Sequence, residues 1–137
     1  NRPLLISAFE EFCNIHPDYE LHIYGDGAEK ETILDIIYSK HLERIIKVFP
    51  NTPNVHELVI NAAMFVSTSD FEGLSNSMLE ALSMGLPTIC TDCPCGGARM
   101  VIEDGVNGFL IPVNNQKSLV DKMLLIAGSS ELTMRLR

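Results

Sequence analysis

With 137 residues the chain is sized for one domain, and at such a length folding buries roughly two-thirds of the unfolded surface, so a core forms without metal or disulfide staples. Eighteen acidic residues against ten basic ones leave a net charge of -8, which argues against a nucleic-acid binder, because that needs a basic face. The same charge fits poorly with an anionic ligand, so cations for one must be few and local or lie outside this chain. No apolar run approaches the roughly 20 residues of a membrane span, and no signal peptide opens the chain. Asn1-Arg2-Pro3 leads straight into a helical pattern without a starting methionine, which reads as a piece of a longer protein.

In chain order, Leu4, Leu5, Ala8, Phe9, Phe12 and Ile15 recur at helical spacing, predicting a helix over 3–15. His16-Pro17-Asp18 ends it, because the residue before proline avoids the helical region. Leu21-His22-Ile23-Tyr24 reads as a short strand and Gly25-Asp26-Gly27 as a turn. A second helix is expected over 28–41 and a strand over 45–49, followed by a loop from Pro50 to Pro53. Asn54 is a candidate N-cap for a short helix over 55–63. Residues 64–67 read as a strand, and a loop and helix follow. Gly85 suits that helix's C-cap, with Pro87 as the stop beyond it. A β-branched strand is expected over 87–91, a turn at 95–97 and a short helix over 98–103. Asp104-Gly105-Val106-Asn107-Gly108 is turn chemistry. The last strand is Phe109-Leu110-Ile111, a helix covers 115–127, and the tail from Gly128 starts one more.

Strands therefore alternate with helices, the pattern of an α/β parallel sheet covered on both faces. Such sheets bind ligands outside the carboxyl ends of their strands, which here means the loops after Tyr24, Phe49, Ser67 and Thr91. Three of the four cysteines cluster as Cys90-Thr91-Asp92-Cys93-Pro94-Cys95, with Cys13 isolated. Zinc would want a fourth ligand at matching spacing, and a redox pair would sit at a helix start. Reduced thiols of a cytosolic protein are the plainer reading. His16, His22, His41 and His56 share no metal spacing, and Glu29-Lys30-Glu31 reads as a solvated helix start.

The segment richest in chemistry is Glu72-Gly73-Leu74-Ser75-Asn76-Ser77-Met78-Leu79-Glu80-Ala81. Strand, tight loop and helix in that order place backbone N–H groups and a positive dipole end where a phosphate can sit. One carboxylate falls in the loop and the other just inside the helix. Two fixed acceptors beside a phosphate cradle suit a ligand with both phosphates and hydroxyls, such as a nucleotide sugar. Alone, Glu80 has a plainer role, because Ser77-Met78-Leu79-Glu80 matches a capping box; one carboxylate can also serve both purposes. Glu72 alone reads as a solvated loop carboxylate. Ser75 and Asn76 either touch phosphate or cap the helix, and Gly96-Gly97 is either a phosphate nest or a flexible turn. Gly25-Asp26-Gly27 lacks the third glycine of a dinucleotide fingerprint, which Lys30 replaces.

Ser69-x-x-Glu72-Gly73, then Glu80-Ala81-Leu82-x-x-Gly85-Leu86-Pro87, then Gly96-Gly97 and Asn107-Gly108 resemble the retaining glycosyltransferases of family 4 (glycosyl transferases group 1). Gly25-Asp26-Gly27 after a strand belongs to the same pattern, and the resemblance covers nearly the whole chain in the right order. The resemblance implies a Rossmann-like parallel sheet flanked by helices, one half of a two-domain GT-B enzyme. This half would be the C-terminal, donor-binding domain, with the first strand and the N-terminal acceptor domain missing from the chain. Glu72 would lie near the donor sugar as the catalytic candidate and help hold its hydroxyls. Glu80 would accept hydrogen bonds from the ribose hydroxyls. Backbone N–H groups of Gly73, Leu74 and Ser75 would face the diphosphate. Gly25 would lie close to the ligand, and the loop after Phe49 would approach the base.

The implied activity is transfer of a sugar from a nucleotide diphosphate sugar to an acceptor hydroxyl, in polysaccharide or glycoconjugate synthesis. No metal or other cofactor is expected, and no D-x-D pair is present. The acceptor, a sugar or lipid-linked sugar, would bind through the missing domain. The expected place is the cytoplasm, with a peripheral position at the inner membrane face open to the intact protein. A non-catalytic nucleotide-sugar-binding or interaction module, and another GT-B enzyme such as an epimerase, are the alternatives. The sequence departs from the family where Pro50 replaces a common glycine, and where Arg99 stands near the acidic residue usual after the second glycine pair. Arg99 is a candidate for supplying positive charge to the cleft.

Overall fold

A computed structural model describes residues 2–24, 30–49, 62–68, 76–92 and 97–128. Helix α1 (Arg2–Ile15) leads into β1 (Leu21–Tyr24), α2 (Lys30–Ser39) and β2 (Ile46–Phe49). Then come β3 (Phe65–Ser67), α3 (Asn76–Ser83), β4 (Thr88–Thr91), a 3-10 turn (Ala98–Met100), β5 (Phe109–Ile111) and α4 (Gln116–Gly128). All recorded strand pairs are parallel: β1 with β2, β3 with β4, and β4 with β5. The expected Rossmann-like α/β architecture is thus present. Of the expected helix over 55–63 only Ala62 and Ala63 are described, and neither is helical; the rest of it, its cap Asn54 and the tail beyond Gly128 lie outside the described residues.

The core is built on α1. Leu5, Ile6, Ala8, Phe9 and Phe12 are buried on one stripe of this helix. They join Ile23 of β1, Ile33 and Ile37 of α2, Ile46 of β2, Ile89 of β4, Phe109 and Ile111 of β5, and the inner face of α4 in one cluster. Phe12 is its largest fully buried side chain, with Tyr19 edge-on at 5.0 Å and Phe9 at 5.9 Å between ring centroids. A second cluster on the other side of β4 joins Cys90 to Ala98 and Ile102, with Leu82 of α3 and Phe65 of β3 against it. Every residue of β4 is buried, as expected of a parallel strand covered on both faces.

The helices thus divide into two layers: α1, α2 and α4 on the Ile89 face, α3 and the 3-10 turn on the Cys90 face. Right-handed crossovers with helices on opposite faces run in opposite directions. So β2 lies outward of β1 on one side, and β4 lies outward of β3 on the other. The inner edges of β1 and β3 are unpaired among the described residues, and α1 packs on both α2 and α4. Leu21 N–H donates to Ile45 O toward β2, and Phe65 N–H donates to Pro87 O toward β4. By strand alternation, the main-chain groups of His22 and Val66 therefore face the inner edges.

Helix ends explain where the observed boundaries differ from the expected ones. α2 stops at Ser39 rather than at His41. His41 takes the left-handed region (φ 57), and Leu42 N–H closes back on Ile37 O at 2.9 Å. Gly85 (φ 75) ends α3 in the same way, as the sequence suggests, with Leu86 N–H on Ala81 O at 3.0 Å. The expected helix over 98–103 is only a 3-10 turn. Asn115 caps α4 instead of belonging to it, its Oδ1 accepting the Ser118 N–H at 2.9 Å.

The Asp104 to Gly108 turn fixes β5 against β4. Asn107 Oδ1 accepts the Glu103 N–H at 2.7 Å, and its Nδ2 donates to Val101 O at 2.8 Å. Asp104 Oδ1 accepts the Leu110 N–H at 2.9 Å. A Cβ on Gly108 would stand 2.9 Å from Thr88 O, closer than such atoms approach. Here the Asn-Gly pair is a structural device rather than a ligand contact. Asn107→Ala is expected to cost about 1–2 kcal/mol of stability, the loss of two side-chain hydrogen bonds. Asn107→Asp keeps the acceptor and should lose about half of that, measured as unfolding free energy in urea.

Candidate functional site at the carboxyl edge of the sheet

Parallel strands send all their carboxyl ends to one edge, and of the candidate residues Glu80 and Phe49 are described there. Glu80 sits one turn into α3, whose first residue, Asn76, follows the loop after β3. The side chain of Glu80 is exposed and its carboxylate has no partner among the described residues. Its backbone carbonyl is occupied, accepting the Ser83 hydroxyl at 2.8 Å and the Met84 N–H at 3.0 Å. α3 already includes Asn76 and Ser77, whereas a capping box would set Ser77 just before the helix. Glu80 is left as an ungated acceptor near a helix N-terminus.

Phe49 ends β2, in register with Tyr24 of β1. It lies on the sheet face away from the main core, its ring 5.2 Å from that of His22. A shallow pocket of about 240 Å³ wraps the outer side of β2, with Leu34, Tyr38, Lys47 and Phe49 in its lining. Glu43 and Ile46 also line it, so it runs along the strand's flank and away from the carboxyl ends. Gly25, Glu72, Gly73, Leu74 and Ser75 lie outside the described residues.

One ion pair at this edge was not foreseen from the sequence. Arg99 Nε donates to Asp92 Oδ1. Asp92 directly follows β4, and its own N–H donates to Ile111 O at 2.7 Å, which ties it to the end of β5. Arg99 stands on the 3-10 turn next to buried Ala98. The signal available in the sequence was a carboxylate closing one strand and a cation seven residues on. Gly97 takes ordinary right-handed angles (φ -59, ψ -46) and its carbonyl accepts the Met100 N–H, so it opens that turn.

Among the described residues no group of three His, Cys, Asp or Glu could hold a metal. Burial raises the pKa of Cys13, which favours its protonated thiol. Cys93 and Cys95 lie outside the described residues. No described helix is long and apolar enough to cross a membrane.

Comparison with known proteins agrees with this geometry. The chain is 33% identical over 129 residues to the poly(ribitol-phosphate) alpha-N-acetylglucosaminyltransferase of Staphylococcus aureus, covering 94% of this chain and 26% of that protein. It is 31% identical over 119 residues to a Campylobacter jejuni N-acetylgalactosaminyltransferase acting on a diphospho-undecaprenol substrate, covering 87% and 32%. An uncharacterized glycosyltransferase of Haemophilus influenzae is 26% identical over 132 residues, covering 96% and 37%. The chain thus spans about a quarter to two-fifths of the length of these relatives. Among solved structures, a TarM variant from S. aureus in complex with Fondaparinux, alpha-GlcNAc-glycerol and UDP superposes with a TM-score of 0.93 at 31% identity, covering 99% of this chain and 27% of that one. The pneumococcal O-GlcNAc transferase GtfA, in complex with UDP and GlcNAc, gives 0.89 at 25% identity, covering 99% and 28%. Residues 1–137 match the family described as Glycosyl transferases group 1, and the chain belongs to that family.

Proposed function

We propose that this chain is the donor-binding domain of a retaining family 4 glycosyltransferase, which moves a sugar from a nucleotide diphosphate sugar to an acceptor hydroxyl in polysaccharide or glycoconjugate synthesis. The observation that carries this reading is Glu80: an exposed carboxylate without a partner among the described residues, one turn inside α3, at the carboxyl edge of a parallel sheet. An ionised carboxylate accepting two ribose hydroxyls makes charge-assisted bonds, stronger than neutral ones. The N-terminus of α3 adds N–H donors and a positive dipole end for the diphosphate. The relatives' UDP complexes support a nucleotide ligand.

Glu72 faces the donor sugar in this reading, Gly73, Leu74 and Ser75 the diphosphate through their N–H groups, and Gly25 and the loop after Phe49 the rest of the nucleotide. The reaction needs no metal: holding the diphosphate as its charge grows on departure lowers the barrier. An acceptor domain belongs on the N-terminal side in this reading, with a strand between the edges of β1 and β3 that are unpaired among the described residues. The enzyme would work in the cytoplasm, peripheral to the inner membrane face where the acceptor is lipid-linked.

The test is sugar transfer by the intact protein. Glu72→Ala is expected to lower kcat/KM at least about 100-fold, as for loss of a group that contacts the reacting sugar. Glu72→Ala with unchanged transfer would contradict the role, and a wild-type protein that binds the nucleotide sugar but transfers nothing would favour a non-catalytic binding module.

A further inference from the structure

The ion pair beyond β4 is oddly placed for a structural device. Arg99 is more than half exposed at 57%, with Asp92 at 34%, and exposed pairs contribute little to stability. Yet the platform beneath is firm. Ala98 is buried against Cys90 and Ile102, and Asp92 is tied through its N–H to Ile111. Asp92 takes only the Nε edge of the guanidinium. The two terminal amino groups have no partner among the described residues and are left as a fork. β4 is the immediate neighbour of β3, so this fork stands one strand away from the carboxyl end of β3.

Charge makes the fork significant. The chain carries a net charge of -8, and the exposed carboxylate of Glu80 stands near the start of α3 at the same edge. A diphosphate arriving there brings more negative charge and needs a cation held where it lands. We infer that Arg99, oriented by Asp92, is this chain's own side-chain ligand for the donor diphosphate; the inference rests on the donor-binding reading above. Arginine suits the task because one edge of its planar fork can be held by a carboxylate while the other meets phosphate oxygens in parallel. Lysine, a point charge, cannot be oriented in this way. Asp92 is a positioning residue: it sets the plane of the guanidinium and touches no ligand.

The experiment is calorimetric titration of the intact protein with UDP, GDP and ADP, and with the nucleoside of whichever binds. Arg99→Ala is expected to weaken the nucleoside diphosphate about 10- to 100-fold, as for loss of a charge-assisted bidentate contact, and to leave the nucleoside's affinity unchanged. Arg99→Lys should recover part of the loss, and Asp92→Ala should cost less than Arg99→Ala while also sparing the nucleoside. In Arg99→Ala the affinity should depend less steeply on salt. Unchanged diphosphate affinity in Arg99→Ala, or equal losses for diphosphate and nucleoside, would overturn the inference and leave the donor site standing. A wild-type protein that binds no nucleoside diphosphate would overturn the donor-binding reading and this inference together.

Discussion

Phe12→Ala should cost about 3–5 kcal/mol, the usual range for emptying a buried aromatic site. The ring is only 1% exposed and is gripped from three directions, by Phe9 one turn back, His16 one turn on, and Tyr19 edge-on from the segment leading to β1. Collapse around the void is restricted, because α1 packs on both α2 and α4 and cannot follow one without leaving the other. Native stabilities of about 5–15 kcal/mol make such a loss a large fraction of the whole. In the intact protein, the slowest amides of α1 should exchange with solvent about two to three decades faster in the variant. Leu125→Ala, on the wet side of α4 at 46% exposure, should shift them by less than one decade, as surface substitutions do. Equal effects at the two positions would mean that α1 is not the centre of the fold.

The helix pattern of α1 was legible because its apolar stripe is long and regular, and a proline two residues past Ile15 closes it. The end of α3 was legible because Gly85 and Pro87 are local signals with one physical meaning each. The end of α2 was not, because the left-handed cap is made by His41, a residue that rarely takes that conformation. The 3-10 turn was overread as a helix because Val101 and Ile102 extend its apolar pattern, although Ile102 leaves the helix to pack on Cys90. Glu80 was legible as a candidate from spacing, but only the position of Ser77 within α3 removes its capping role. The pairing of Asp92 with Arg99 depends on how β4 and the 3-10 turn meet in space, and no local pattern encodes it. Asn107 was read as turn chemistry; that its amide also bonds Val101 O became visible only in the fold.

In the proposed reading the carboxyl edge holds a nucleotide by its ribose through Glu80. Its side chain is exposed and without a partner among the described residues, so truncating it removes no bond to any of them and should cost little stability. The effect of Glu80→Ala should therefore fall on ligand affinity. A hydrogen bond from a hydroxyl to a carboxylate is worth roughly 1.5–3 kcal/mol net, and in the variant water takes over part of the two contacts. A net loss of about 10- to 100-fold in nucleoside diphosphate affinity is expected, with kcat reduced far less than in Glu72→Ala. Glu80→Gln keeps the shape and one acceptor oxygen without the charge, and should recover only part of the loss.

The most direct measurement is the affinity of the intact protein for a nucleoside diphosphate and for its 2′,3′-dideoxy analogue, in wild type and in Glu80→Ala. The wild-type protein should prefer the ribose form by about 10-fold or more, and Glu80→Ala should bind both forms alike, at the level of the wild type with the dideoxy analogue. A preference for the ribose form that survives intact in Glu80→Ala would contradict the account.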